Sequence, residues 1–202
     1  MLQFIERHRI VLSRLMVAGV LVVLAISSSA WSGRQAFFAS VLVALGLVLI
    51  GLAMVGRLWC NLYIVGYKNQ TLLTTGPYSA SRNPLYFFSS LGGVGVGLTS
   101  GTLTVGVLIA VLFALTYPGV ILTEEKRLEK IHGQAWLDYM ARVPRFFPRL
   151  SQLVEPEQYE VHPRLFRKHL LDALWFAWAA GVMALIDGAH GMGWLPNYLL
   201  LP

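Results

Sequence analysis

The chain has 202 residues, is 56% hydrophobic and only 13% charged, and carries a formal net charge of +6. A soluble domain is nearer a quarter charged, so this composition excludes an ordinary water-soluble globule and makes the bilayer the expected solvent. A single cysteine, Cys60, excludes an intrachain disulfide and a cysteine metal cluster.

A helix needs about 20 apolar residues to cross a ~30 Å hydrocarbon core. Five segments are read against that length: Ile10 to Ala30, Ala36 to Gly56, Leu85 to Leu98, Leu103 to Leu122, and Leu170 to Ile186. The first follows Glu6-Arg7-His8-Arg9, and its apolar run exceeds a usual signal core, so it reads as an anchor. Arg14, its one internal charge, lies near the end, where a long side chain snorkels to the headgroups.

The second segment is uncharged throughout. After it, "RLWCNLYIVGYK" (Arg57 to Lys68) mixes aromatics with basic ends, as an interfacial segment does. "NQTLLTTGPYS" then reads as a turn-rich connector, because Gly76-Pro77 cannot continue a helix. The third segment is short and carries Gly92, Gly93, Gly95 and Gly97, which suits close packing inside a bundle better than contact with lipid.

Pro118 falls near the end of the fourth segment, where a bend is expected. Thr123 is placed to cap a new helix, with Glu124 and Glu125 at its positive end, and Pro144 and Pro148 close it. "VEPEQYEVHPR" is a polar linker to the fifth segment.

Charge placement gives the basic excess a meaning. With five crossings and a cytoplasmic amino terminus, 15 of the 16 Lys and Arg residues, Arg57 among them, lie on the cytoplasmic side; only Arg34 lies across. Membrane topology thus accounts for the charge with no nucleic-acid partner. His132, His162, His169 and His190 lack a recurring ligand spacing, so no metal site is expected.

The sequence divides into residues 1–56, an N-terminal pair of transmembrane helices; 57–150, a core with two more; and 151–202, a linker and an additional C-terminal helix. The expected fold is all-α and polytopic, with about five transmembrane helices and a polar pocket on the cytosolic side.

Two polar stretches stand out: "LLTTGPYSASRNPLY" (Leu72 to Tyr86) and "EEKRLEKIHGQAWLDYMARVPRFFP" (Glu124 to Pro148). With the glycine-rich and apolar helices between them, they resemble the isoprenylcysteine carboxyl methyltransferase and phospholipid N-methyltransferase superfamily of integral membrane methyltransferases. Order and spacing agree over several elements at once, which is far more specific than a lone motif. The resemblance implies S-adenosylmethionine as cofactor, held in a cytosolic pocket over the membrane helices, and a lipid or prenylated acceptor entering from the bilayer. No glycine-rich strand-to-helix fingerprint of a soluble Rossmann methyltransferase is present.

That cofactor carries an ammonium, a carboxylate, a ribose and an adenine, so it needs acids, fixed donors and an apolar slot. Glu124 or Glu125 suits the ammonium or ribose hydroxyls, and of the two Glu125 is favoured as the functional acid. The backbone around Gly76, Pro77 and Tyr78 and the side chain of Asn83 suit the amino-acid end, Tyr78 and Tyr86 offer aromatic walls, and Pro84 completes the expected cofactor set. For the acceptor, Arg82 and Arg142 match the family positions that clamp a carboxylate. An amine acceptor instead needs a proton taken, for which Glu125 or a water is the candidate.

The carboxyl methyltransferases usually carry Arg-His-Pro where this chain has Arg82-Asn83-Pro84. Asparagine does not titrate near neutrality, which leaves the acceptor open. The leading expectation is an isoprenylcysteine carboxyl O-methyltransferase-like enzyme of the plasma or inner membrane. Its rivals are a phospholipid or small-molecule N- or S-methyltransferase of the same fold, an NADPH-dependent membrane reductase using Arg142, Arg145 and Arg149, and a non-catalytic scaffold. The fifth crossing is expected to cover the lipid-side entrance or to form a homo-oligomer contact.

Overall fold

The structure is a computed structural model that describes residues 18–31, 36–67 and 70–202. It is 72% helical. Residues 18–26 are helical, and the remainder of the first apolar segment, 10–17, lies outside the described residues.

The uncharged second segment becomes helix α1, Ala36–Ile64. In lipid every backbone N–H must find its acceptor within the segment, which a helix provides. α1 does not stop at Gly56. The stretch from Arg57 to Ile64, expected as a separate interfacial segment, forms its last two turns, so Arg57 belongs to the spanning helix itself.

The next elements are short. Helix α2, Pro77–Ala80, is a single turn made from the expected connector. Helix α3, Pro84–Leu98, opens on a proline at a position where its missing N–H costs nothing. The glycines of α3 seat it against α1: a Cβ on Gly95 would stand 2.7 Å from the Gly46 carbonyl oxygen, and one on Gly46 2.6 Å from that of Gly95. Backbone meets backbone there, as the glycine-rich sequence leads one to expect.

Helix α4, Leu103–His132, corrects the sequence reading. It runs unbroken through Pro118 and Thr123, and the Thr123 hydroxyl donates to the Gly119 carbonyl within the helix at 2.9 Å rather than capping a new one. Glu124 and Glu125 therefore stand in mid-helix, at the level where α4 leaves its apolar stretch. The break comes later, at Gly133 (φ +55), before helix α5, Gln134–Arg142. Helix α6, Pro163–Gly191, starts earlier than the apolar run suggested.

Three of these helices, α1, α4 and α6, are long and apolar enough to cross a membrane, and α3 is a shorter apolar helix packed among them. Large apolar side chains such as Leu115, Trp175 and Leu185 point outward. At the far end of the bundle Ser27–Ser29 and Leu199–Leu201 form a three-residue parallel pair, the one departure from an all-α fold among the described residues.

Candidate functional site

Two stretches more than fifty residues apart are sewn together at one mouth of the bundle. The Arg82 N–H donates to the Pro144 carbonyl at 2.9 Å, and the Arg149 N–H to that of Ala80 at 2.9 Å. The Ser81 hydroxyl donates to the Phe146 carbonyl at 3.0 Å, and the Tyr139 hydroxyl to that of Tyr78 at 2.6 Å. The linker joins them: the Gly76 N–H donates to the Val154 carbonyl, and the Val154 N–H to the Ser79 hydroxyl, both at 2.8 Å.

Gly76 shows why the connector has its sequence. Its φ of +58° and ψ of −138° suit a residue without Cβ, and a Cβ there would lie 2.3 Å from the Tyr63 ring. The chain is thereby turned sharply under Tyr63 so that Pro77 can start α2 and Tyr78 points inward.

Behind the turn lies a charged brace. Glu125 is buried, and Arg82 Nε donates to its Oε1 at 3.1 Å. Arg145 Nε reaches its Oε2 at 3.1 Å, and Asn83 Nδ2 donates to Oε1 at 3.3 Å. The Arg82 and Glu125 side chains are each 7% exposed, Arg145 51%. Asn83 Nδ2 also donates to the Arg145 carbonyl at 3.0 Å. Asparagine here serves as a fixed double donor, a role that requires no titration. A buried acid held by two guanidinium groups is an expensive arrangement unless every lone pair is used, and here both oxygens are.

In front of the brace opens a cleft, partly open to the surroundings. Tyr78, Arg82, Asn83, Tyr86 and Glu124 bring polar groups to its lining, with Pro84 beside them. Leu72, Leu73, Leu128 and Trp136 line its apolar side. Glu124 Oε2 accepts from the Tyr86 hydroxyl at 2.9 Å. The Tyr78 hydroxyl is buried and has no hydrogen-bond partner among the described residues. Burial pushes the Tyr78 phenol well above its ordinary ionisation range, and burial does the same to Tyr139, with Arg82 acting the other way. Both are neutral donors at physiological pH.

Of the residues singled out from sequence, the structure brings Tyr78, Arg82, Asn83, Pro84, Tyr86 and Glu124 onto one cleft. Gly76 and Pro77 do not line it; they form the turn that leads into Tyr78. Glu125 sits behind it, its oxygens taken by the brace. Arg142 is exposed, with its Nε donating to the Asp138 carbonyl at 3.2 Å, and does not meet Arg82. Sequence reasoning missed Arg145 as the second partner of Glu125, although its place between two prolines marked the segment as extended. It also missed Trp136, which lies one turn before Tyr139 on the buried face of the same helix. Neither Arg142, Arg145 nor Arg149 lines the cleft, so they form no basic cluster for a cofactor phosphate there.

A helical membrane protein with a half-polar cleft at one mouth of its bundle is thus the class that fold and site define. A family model described as phospholipid methyltransferase matches residues 34–135, and the chain belongs to that family, part of the isoprenylcysteine carboxyl methyltransferase-like superfamily of membrane methyltransferases. The match covers α1 to α4, including both adjacent glutamates, and ends before Tyr139 and Arg145. The chain is 39% identical over 199 residues to the nickel-cobalt-cadmium resistance protein NccN of Alcaligenes xylosoxydans xylosoxydans, covering 98% of this chain and 92% of the relative. It is 41% identical over 190 residues to the cobalt-zinc-cadmium resistance protein CzcN of Cupriavidus metallidurans, covering 94% and 87%. No solved structure matches at a significant level.

Proposed function

We propose that the protein transfers a methyl group from S-adenosylmethionine to a lipophilic acceptor that stays in the membrane, with the cleft on the cytoplasmic face. The observation that carries this reading is the partnerless buried hydroxyl of Tyr78 in the same cleft as the Glu124 carboxylate and an apolar wall. A buried hydroxyl without a partner costs about 1–3 kcal/mol, and a ligand's polar group removes that cost. An acid, a spare donor and an apolar slot form the set that an amino acid joined to a nucleoside requires.

Glu124 is placed to take the ammonium or the ribose hydroxyls, with Tyr86 orienting its carboxylate. The Tyr78 hydroxyl is placed to donate to the carboxylate end, and Leu72, Leu73 and Trp136 to cover the adenine. The bound cofactor supplies a methyl group on a positively charged sulfur. The chain's own work is to align an acceptor with it and to exclude water, since an in-line displacement asks little more of a protein.

The arrangement of the arginines bears on the acceptor. Arg82 is committed to Glu125 and the Met140 carbonyl, and Arg142 lies at the surface, so the two form no carboxylate clamp. A phospholipid headgroup fits this cleft better than a prenylcysteine carboxylate, and an amine acceptor would pass its proton to Glu124 or to water rather than to Glu125. Both relatives are named for metal resistance, and we extend that setting to this chain as methylation of a membrane component under metal stress.

The test is transfer of tritiated methyl from S-adenosylmethionine into the lipid phase of membranes containing the protein. Label in a lipid, lost with Glu124→Gln, is the expected result; cofactor binding without label in any lipid would contradict the assigned acceptor class.

A further inference from the structure

Arg57 is a charge that neither the brace nor the cleft uses. It follows the uncharged run Ala36–Gly56, which is about as long as the ~20 residues that cross the hydrocarbon. It therefore stands where acyl chains give way to phosphates. An arginine that only anchored a helix would stretch toward water along its own helix. This one turns inward and is half-buried. One terminal guanidinium nitrogen donates to the Ser89 hydroxyl on α3, and the guanidinium lies 5.8 Å from the centre of the Phe176 ring on α6.

Its Nε–H is buried without an acceptor, and no carboxylate pairs with it among the described residues. Its partners among the described residues, Ser89 and Phe176, are neutral. Ser89 spends its own proton on the Leu85 carbonyl at 2.6 Å, and Tyr117 of α4 stands beside Ser89 and within electrostatic reach of Arg57. Four helices thus converge on a cation whose buried Nε–H lacks an acceptor and which has no paired anion among the described residues. A charge in such a setting marks a site whose counter-ion comes from outside the chain.

Its place relative to the cleft identifies that counter-ion. Ser89 lies one helical turn below Tyr86 on α3, about 4.5 Å deeper. The Tyr86 ring, which lines the cleft, packs edge-on against Tyr117 at 5.0 Å. An anion on Arg57 is therefore one turn from the cleft floor, roughly the reach of a two-carbon headgroup. We infer that Arg57, backed by Tyr117, is the subsite that holds the phosphate of the acceptor phospholipid, so that its headgroup rises past Tyr86 into the cleft. The inference rests on the methyltransferase reading for its purpose, but the anion site can be tested without it.

The test is calorimetric titration of the full chain in mild detergent with dihexanoyl phosphatidylethanolamine and, separately, with farnesylcysteine, whose anion is a carboxylate. S-adenosylmethionine binding is measured on the same samples. The phospholipid should bind the native chain, and Arg57→Gln should weaken that binding by about 10- to 100-fold, as loss of a charge-assisted contact does, while cofactor binding is unchanged. Phospholipid affinity unchanged in Arg57→Gln would overturn the inference, as would Arg57-dependent binding of farnesylcysteine but not of the phospholipid. If Arg57→Gln does not fold, Tyr117→Phe and Arg57→Lys decide: each should weaken phospholipid binding several-fold, and native affinity in both overturns the site. Arg57-dependent phospholipid binding in a chain that does not bind S-adenosylmethionine would uphold the phosphate site and sink the methyltransferase reading instead.

Discussion

Glu124 and Glu125 are neighbours in sequence and opposites in structure. Successive residues on a helix point about 100° apart, and on α4 that angle sends Glu124 into the cleft and Glu125 back against Arg82, Asn83 and Arg145. One carboxylate lines the cleft, accepting from the Tyr86 hydroxyl, while the other holds two distant stretches together. Motif position favoured Glu125 as the functional acid; the angle between them puts Glu125 in the brace and Glu124 on the cleft.

Substitutions should separate the two regions. The largest effect is expected from Arg82→Ala, which leaves a buried acid with one half-exposed guanidinium; removing one partner of a buried pair costs about 3–5 kcal/mol. The yield of folded protein should drop and its unfolding temperature fall sharply. Glu125→Gln should follow the same pattern, with cofactor affinity lost only as far as the fold is.

Glu124→Gln should do the reverse. Thermal unfolding should stay near the native value while S-adenosylmethionine affinity falls about 10- to 100-fold, as when a charge-assisted contact is removed. Equal losses of stability in the two glutamate variants would erase the distinction between brace and cleft.

Tyr78→Phe sharpens it further. Removing a buried hydroxyl that has no partner should leave stability unchanged or raise it, yet lower cofactor affinity by about 5- to 10-fold, the size of one ordinary hydrogen bond. A fall in stability with unchanged affinity would make Tyr78 a packing residue. The smallest effect belongs to Arg142→Ala, within about 0.5 kcal/mol in stability and with native methyl transfer, since its side chain is exposed and its one hydrogen bond among the described residues is to the Asp138 carbonyl. A large loss of activity there would restore the carboxylate clamp.

The helices were legible because lipid imposes one rule on all of them, and long uncharged runs obey it. α1, α3, α4 and α6 each contain the apolar segment read from sequence. Their ends were not legible: α1 continues past Arg57 and α4 past Thr123, because a helix already nucleated in lipid carries polar residues outward for several turns with little added cost. Thr123 satisfied the pattern of a cap, but its hydroxyl finds the Gly119 carbonyl one turn back.

Within the site, Gly76, Arg82 and Asn83 stood out because their residue types are costly beside a membrane. The pairing of Glu125 with Arg145 did not, since it depends on the extended chain after Pro144 returning to Ser81, a tertiary contact with no local pattern. Arg57 was hidden by the same topology rule that explained it: a basic residue beside an apolar run is ordinary until its side chain is seen turning inward.

The central claim is that the cleft in front of the brace is a cofactor site. It is tested most directly by calorimetric titration of S-adenosylmethionine into the purified full chain, with NADPH titrated in parallel and Glu124→Gln as the control. Saturable binding of S-adenosylmethionine alone, weakened in that variant, is the predicted result; binding of NADPH alone, or of neither ligand to a folded chain, would contradict it.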